Sequence, residues 1–149
     1  MNATTHLDYT TTAPQAFQHL LQLSQHLHKG PIGHVLIELI SLRVSQINGC
    51  AFCLDMHATL LRKAGVDQRK LDTIAAWREV PLFDTRERAA LAWAEALNAI
   101  GSQPMPHGAL EAAREAFDDR ELAELSFAVA AIRAWNMLNV GLGKGLPGV

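Results

Sequence analysis

From residue 14 almost to the end of the chain, apolar positions recur at the spacing of an α-helix, and no stretch alternates polar and apolar as a half-buried strand does. Pro14 opens the first segment, roughly 14–28, which carries Phe17, Leu20, Leu21, Leu23 and Leu27 on one side. Gly30-Pro31 stops it. The second, roughly 33–47, is apolar almost all round, with Val35, Leu36, Ile37, Leu39, Ile40, Leu42, Val44 and Ile47, and such a helix belongs inside the protein. Asn48-Gly49 ends it, and a third helix runs from about Cys50 to Ala64, where Gly65 is the cap. Asp67 opens a short helix to about Trp77, and Pro81 breaks the chain. Asp84 with Glu87, and Asp118 with Glu121, have the spacing of capping boxes. They predict one helix to about Ile100, with Trp93, Leu97 and Ile100 on its buried stripe, and a last long helix to about Val140. Gly101 to Pro106 is a turn, followed by a helix over about 107–117. Residues 1–13 read as a Thr-rich arm and 141–149 as a flexible glycine-rich tail. With no repeat and no dividing linker, the expected fold is all-α: a single-domain bundle of six to seven helices.

Composition narrows the function. At 149 residues the chain has the length of one domain, and 49% hydrophobic content is that of a folded protein. A net charge of -2 with scattered Lys and Arg gives no footprint for nucleic acid. The polar N-terminus lacks signal-peptide architecture. The longest apolar run, Val35 to Val44, is interrupted by Glu38 and Arg43 and is too short to span a bilayer. A cytoplasmic protein, with no membrane or nucleic-acid partner, is expected. Its two cysteines are too few for a secreted disulfide scaffold. A lone CxxC points to redox work or half of a metal site.

Cys50, Cys53 and His57 fall on one stripe of the third helix, continued by the core-type residues Leu60, Leu61 and Ala64. The sulfurs and the imidazole therefore face a packed neighbour. A thiolate, not a thiol, attacks peroxide, and the helix N-terminus, the imidazole one turn on and the neighbouring thiol could each lower a cysteine pKa. A second thiol at i+3 can condense with the resulting sulfenic acid before over-oxidation. Glu38 is the other anomaly: a carboxylate in an apolar helix, with His34, Ser41 and Ser45 at helical spacing. A buried carboxylate is costly unless it is paired or has a task, and here it could accept a proton for the cysteine–histidine pair.

The run from Glu38 through Arg43, Asn48-Gly49-Cys50-Ala51-Phe52-Cys53 and on to His57 resembles the core motif of the alkylhydroperoxidase D-like (AhpD-like) proteins of the carboxymuconolactone decarboxylase-like superfamily. The twelve-, three- and four-residue spacings together are specific, whereas a bare CxxC is not. The likeness covers roughly residues 35–100, with a weaker echo at Ala134-Trp135-Asn136. It implies an all-helical homo-oligomer, trimer or hexamer, that reduces a hydroperoxide with the cysteine pair and is re-reduced by a dithiol partner. No resident cofactor or metal is implied. It assigns Cys53 as peroxidatic and Cys50 as resolving, with Glu38 and His57 as a proton relay. Helix-dipole reasoning alone favours Cys50 as the lower-pKa thiol; the specific histidine at i+4 and the family scheme favour Cys53. In one respect the chain departs from the pattern: Phe52 stands where some members carry a second relay histidine.

Other readings compete for the same residues. A lactone decarboxylase of the same superfamily would not need the CxxC, and a dithiol redox or sensor module would use it without turning over peroxide. Zinc would find three ligands in Cys50, Cys53 and His57, with His34 or Glu38 as a fourth, but there is no second ligand pair and a helical CxxC is an unusual clamp. Haem attachment fails because Leu54 follows Cys53. Glu38 could instead form a structural ion pair with Arg43 or with a group on another helix. His6, His19, His26, His28 and His107 read as solvent-facing, His26 and His28 suiting a helix C-terminus. Trp77, Trp93 and Trp135 read as core or interface anchors, and Arg86-Glu87-Arg88 as a solvated face.

Overall fold

The computed structural model describes residues 6–149; the first five residues of the expected arm lie outside the described residues. The described residues form eight α-helices and one 3₁₀ segment: α1 (Tyr9–Thr12), α2 (Pro14–His28), α3 (His34–Asn48), α4 (Ala51–Lys63), α5 (Gln68–Thr73), the 3₁₀ segment Ile74–Glu79, α6 (Thr85–Asn98), α7 (Ala109–Arg114) and α8 (Asp119–Gly141). The fold is all-α, as its periodicity requires, and the described residues contain no named strand.

Helix α3 is the axis of the molecule. Its all-round apolar surface buries Ile37, Leu39, Ile40, Leu42 and Val44 against α4, α6 and α8, with α2 lying across one end. Position Gly49 adopts φ 71°, a left-handed cap that lets the backbone turn sharply out of α3, and an L side chain would strain there. The turn delivers Cys50 as the N-cap of α4, where its Sγ accepts from the Cys53 backbone N–H at 3.3 Å. Both expected capping boxes are present, at Asp84/Glu87 and Asp118/Glu121, and each fixes where a long helix begins.

The expected Asp67 helix is shorter than its sequence pattern and passes into a 3₁₀ segment at Ile74. Glu95 holds that segment: its carboxylate accepts from Trp77 Nε1 (2.9 Å), Arg78 (2.7 Å) and Arg43 Nε (2.9 Å). Arg43 is therefore committed to Glu95 and not to Glu38. The Arg86-Glu87-Arg88 run is half-buried rather than a solvated face. Arg86 pairs with Glu121, Glu87 with Lys70, and Arg88 donates to the carbonyls of Val80 and Phe83. Long side chains bury their stems on apolar surface and spend their charges on loop ends.

In the N-terminal segment, Tyr9 is buried and its hydroxyl donates to Asn139 Oδ1 at 2.6 Å, while Leu7 N–H donates to Leu142 O. The segment before α2 is thereby stitched to the end of α8. Among the described residues no helix is long and apolar enough to cross a membrane.

Candidate active site

Four elements supply the site. α4 contributes Cys53 and His57, one turn apart, and the turn before it contributes Cys50. α3 contributes Glu38, α2 contributes His28, and α8 contributes Asn139. All four residues singled out in the sequence, Glu38, Cys50, Cys53 and His57, converge here and all four are buried.

Cys50 and Cys53 are joined as a disulfide with Cα atoms 5.3 Å apart, within the ordinary range for such a bond. Asn139 Nδ2 donates to Cys53 Sγ at 3.3 Å. Its orientation is set from the other side, because the Tyr9 hydroxyl donates to Asn139 Oδ1 and leaves the NH₂ aimed at sulfur. The two sulfurs thus differ. Cys50 is engaged by a backbone N–H, whereas Cys53 is engaged by a side-chain amide and forms part of a cavity wall to which Cys50 does not contribute.

Glu38 is 5% exposed, and each of its oxygens meets an imidazole. Oε2 pairs with His57 Nδ1 and Oε1 with His28 Nε2 at 2.5 Å. Burial works against the carboxylate charge, but the hydrogen bonds from His28 and His57 outweigh it and hold the Glu38 pKa down to about 2. An ionised Glu38 only accepts, so His57 donates from Nδ1 and its Nε2 is left for another partner. That Nε2 is buried and has no hydrogen-bond partner.

His28 was not legible as a site residue. Its sequence context suggests a solvent-facing imidazole at a helix end, yet it is half-buried and bonded at both nitrogens, with Nδ1 2.6 Å from Ser24 O. The Glu38 hydrogen bond pushes its pKa up, against the opposing effect of burial. It reaches Glu38 because the turn through Gly30 to Gly33 folds the end of α2 back over the start of α3, a tertiary event with no periodic signal. Asn139 was also overlooked, although it carries one. It stands on the buried α8 stripe with Leu125, Ile132 and Asn136, where a polar residue is out of place unless bonded.

Above Cys53 and His57 opens a cavity of about 770 Å³. Phe17, Leu21, Met56, Leu60, Ile132 and Trp135 make its walls chiefly apolar, and Tyr9, Phe17 and Trp135 pack together at tilted and edge-on angles with centroids 5.9–6.3 Å apart. Trp135 Nε1 donates to Ser24 Oγ at 2.9 Å, so this tryptophan shapes a cavity while Trp77 and Trp93 sit in the core. Phe52, at the position of the absent second histidine, lies under the Lys144 ammonium, 4.2 Å from its ring centre, and offers no group for proton transfer. Among the described residues no group of three His, Cys, Asp or Glu is arranged to hold a metal ion.

The carboxymuconolactone decarboxylase family pattern matches residues 14–96, so the chain belongs to that family. Over 93% of its length it is 31% identical to the uncharacterized protein YdfG of Bacillus subtilis, covering 94% of that protein. A crystal structure of a protein of unknown function from Agrobacterium tumefaciens, suggested to be an antioxidant defence protein AhpD, superimposes with a TM-score of 0.91 at 35% identity, over 97% of this chain and 99% of that one. A shorter match, 62% identity over 34 residues, links it to the alkyl hydroperoxide reductase AhpD of Streptomyces griseus and spans 19% of that protein. Within the family the chain is AhpD-like.

Proposed function

We propose that this protein is a thiol-dependent peroxidase that reduces an organic hydroperoxide through Cys53, Cys50 and the Glu38–His57 pair. The observation that carries the reading is a buried cysteine pair whose Cys53 lines an apolar cavity, together with a cavity histidine whose free nitrogen has no structural partner. Unsatisfied buried polar atoms are rare, and at a functional site they mark where the substrate or the reacting atom belongs.

In the reduced protein His57 Nε2 accepts the Cys53 proton, while Glu38 stabilises the imidazolium through Nδ1–H. Asn139 Nδ2 then donates to the thiolate; a hydrogen bond to a charged sulfur is stronger than one to a neutral sulfur, so it favours the reactive form. The thiolate attacks the outer peroxide oxygen. An S–O bond forms, the O–O bond breaks, and the alkoxide leaves as an alcohol with the proton from His57. Cys50 next attacks the Cys53 sulfenic acid. The S–S bond forms, the S–O bond breaks, and hydroxide leaves as water with the Cys50 proton. The disulfide described here is the end of that sequence, and a dithiol reductant returns two electrons and two protons by exchange. Cys53 takes the peroxidatic role because the cavity and the amide donor both reach it and not Cys50. The helix N-terminus and the Cys53 N–H both favour a thiolate on Cys50, and access decides against it, because Cys53 and not Cys50 lines the cavity.

A homo-oligomer is part of the same proposal. The outward face of α8 carries Ala123, Phe127, Ala130, Ala134 and Met137, an alternating four- and three-residue spacing, with Phe127 57% and Met137 68% exposed. An apolar stripe of that period suits another helix. Light scattering at micromolar concentration is expected to give a multimer; a monomer would contradict this part.

The function itself is tested by steady-state turnover of cumene hydroperoxide with dithiothreitol as reductant. Saturable consumption that requires both cysteines is expected. If Cys50→Ser and Cys53→Ser turned over peroxide as the wild type does, or the wild type did not turn it over, the reading would fail.

A further inference from the structure

The relay described above has a third member whose presence the cysteine motif does not announce. Ser24 O is a carbonyl and can only accept, so His28 Nδ1 carries a hydrogen. Glu38 Oε1 is an ionised carboxylate oxygen and also only accepts, so His28 Nε2 carries one too. An imidazole protonated at both nitrogens is a cation. Across 2.5 Å it faces the one carboxylate on the cavity wall, since the other ionisable groups there are His34, His57, Tyr9 and the lysines 29, 63 and 144. His57 meets the second oxygen of that carboxylate.

We infer that His28 is a positioning residue whose imidazolium neutralises Glu38, so that His57 stays a free base instead of becoming Glu38's counter-ion. The inference rests on the peroxidase reading only for the purpose the base serves; the charge arrangement itself stands without it. Glu38 carries one negative charge and has two imidazole neighbours. With His28 as the cation, His57 donates a neutral Nδ1–H and keeps Nε2 open. Without that cation a buried carboxylate stands uncompensated, which is costly, and the nearest group able to take a proton is His57. A proton on Nε2 would leave no acceptor for the thiol. A second imidazole thus reaches Glu38 from α2, at the oxygen that His57 does not use.

The test uses the oxidised full-length protein with ¹⁵N-labelled histidine and reads the ring-nitrogen shifts at neutral pH. Wild type is expected to show His28 with two pyrrole-like nitrogens and His57 with one pyrrole-like and one pyridine-like nitrogen. In His28→Gln, which keeps an N–H for Glu38 but not the charge, the His57 pyridine-like signal is expected to vanish as that nitrogen is protonated. His28→Arg, which restores the charge, is expected to bring the signal back. A purely structural role for His28 would leave His57 unchanged in His28→Gln. That outcome, or a pyridine-like nitrogen on wild-type His28, overturns the inference. The wild-type spectrum decides even if a variant fails to fold. A wild type with these signals but no peroxide turnover would remove the function proposed above and leave the charge arrangement intact.

Discussion

Helix α3 carries two buried polar clusters, and they are built on opposite terms. At its C-terminal end Asn48 donates to Asn98 Oδ1 (2.9 Å) and Asn136 Oδ1 (3.0 Å), Asn98 returns a bond to Asn48 Oδ1 (3.0 Å), and Asn136 donates to Ser45 Oγ (3.0 Å). Every member is neutral, and none of these side chains has a buried atom without a partner. The bonds tie the ends of α3 and α6 to the C-terminal third of α8. Nearer its N-terminal end, Glu38 is charged, flanked by two histidines, and the cluster ends at an open nitrogen beside a cavity and a cysteine pair. A closed neutral network holds helices together, while a charged network left open at one atom stores reactivity at that atom. The same helix thus separates a structural polar site from a chemical one by about three turns.

The sharpest way to break the comparison is to remove the reacting atom. Cys53→Ser is expected to abolish peroxide-driven thiol loss, lowering the rate to below about a thousandth of wild type, because the nucleophile itself is gone. Stopped-flow consumption of cumene hydroperoxide checks it. Glu38→Gln should follow, with a rate loss of about a hundredfold or more, the usual range for removing part of a general acid–base system. Its melting temperature should also fall, since His28 and His57 lose their shared anion. Asn139→Ala removes the amide donor to Cys53 Sγ and is expected to slow thiolate attack about tenfold, the scale of one hydrogen bond to a charged group. The thiolate absorbance of that variant, in a Cys50→Ser background, should titrate at higher pH.

Changes in the neutral cluster should do the reverse. Asn98→Ala removes both bonds between Asn98 and the half-buried Asn48 and is expected to cost about 1–3 kcal/mol of stability, read from the urea midpoint, with the rate per folded molecule unchanged. If it slowed the chemistry as much as it lowered stability, the division between the clusters would be wrong. A smaller effect concerns pH. Glu38 has its pKa lowered from 4.5 to about 2, so its contribution to stability is present above pH 4.5 and is lost as pH falls toward 2. His28 is raised from 6.5, so its contribution is complete below that value and is lost as pH rises through the higher folded pKa. The pair should support the fold most fully between those limits, and Glu38→Gln should flatten the dependence in a melting-temperature series.

Local chemistry made one part of the molecule readable before folding. The two capping boxes, the all-round apolar α3 and the Gly49 turn before Cys50 each act within a few residues, and the helices begin and end where those signals stand. The four-residue motif is likewise local, so it marked where Glu38, Cys50, Cys53 and His57 would gather. What remained hidden was set by tertiary packing. His28 looks like any histidine near a helix end until α2 folds onto α3. Tyr9 looks like part of a polar arm until it meets Asn139 from α8 across 130 positions. The 3₁₀ segment after α5 is pinned by Glu95, a residue of α6. None of these pairings has a period to read.

The central claim is that Cys50 and Cys53 are a peroxide-driven pair whose proton Glu38 and His57 manage. The most direct measurement is to reduce the protein, add one equivalent of cumene hydroperoxide, and count free thiols over time in wild type and Glu38→Gln. Rapid loss of both thiols in wild type, reversed by dithiothreitol and much slower in Glu38→Gln, is the predicted result. Thiols that persist in wild type, or vanish at the same rate in both proteins, would contradict it.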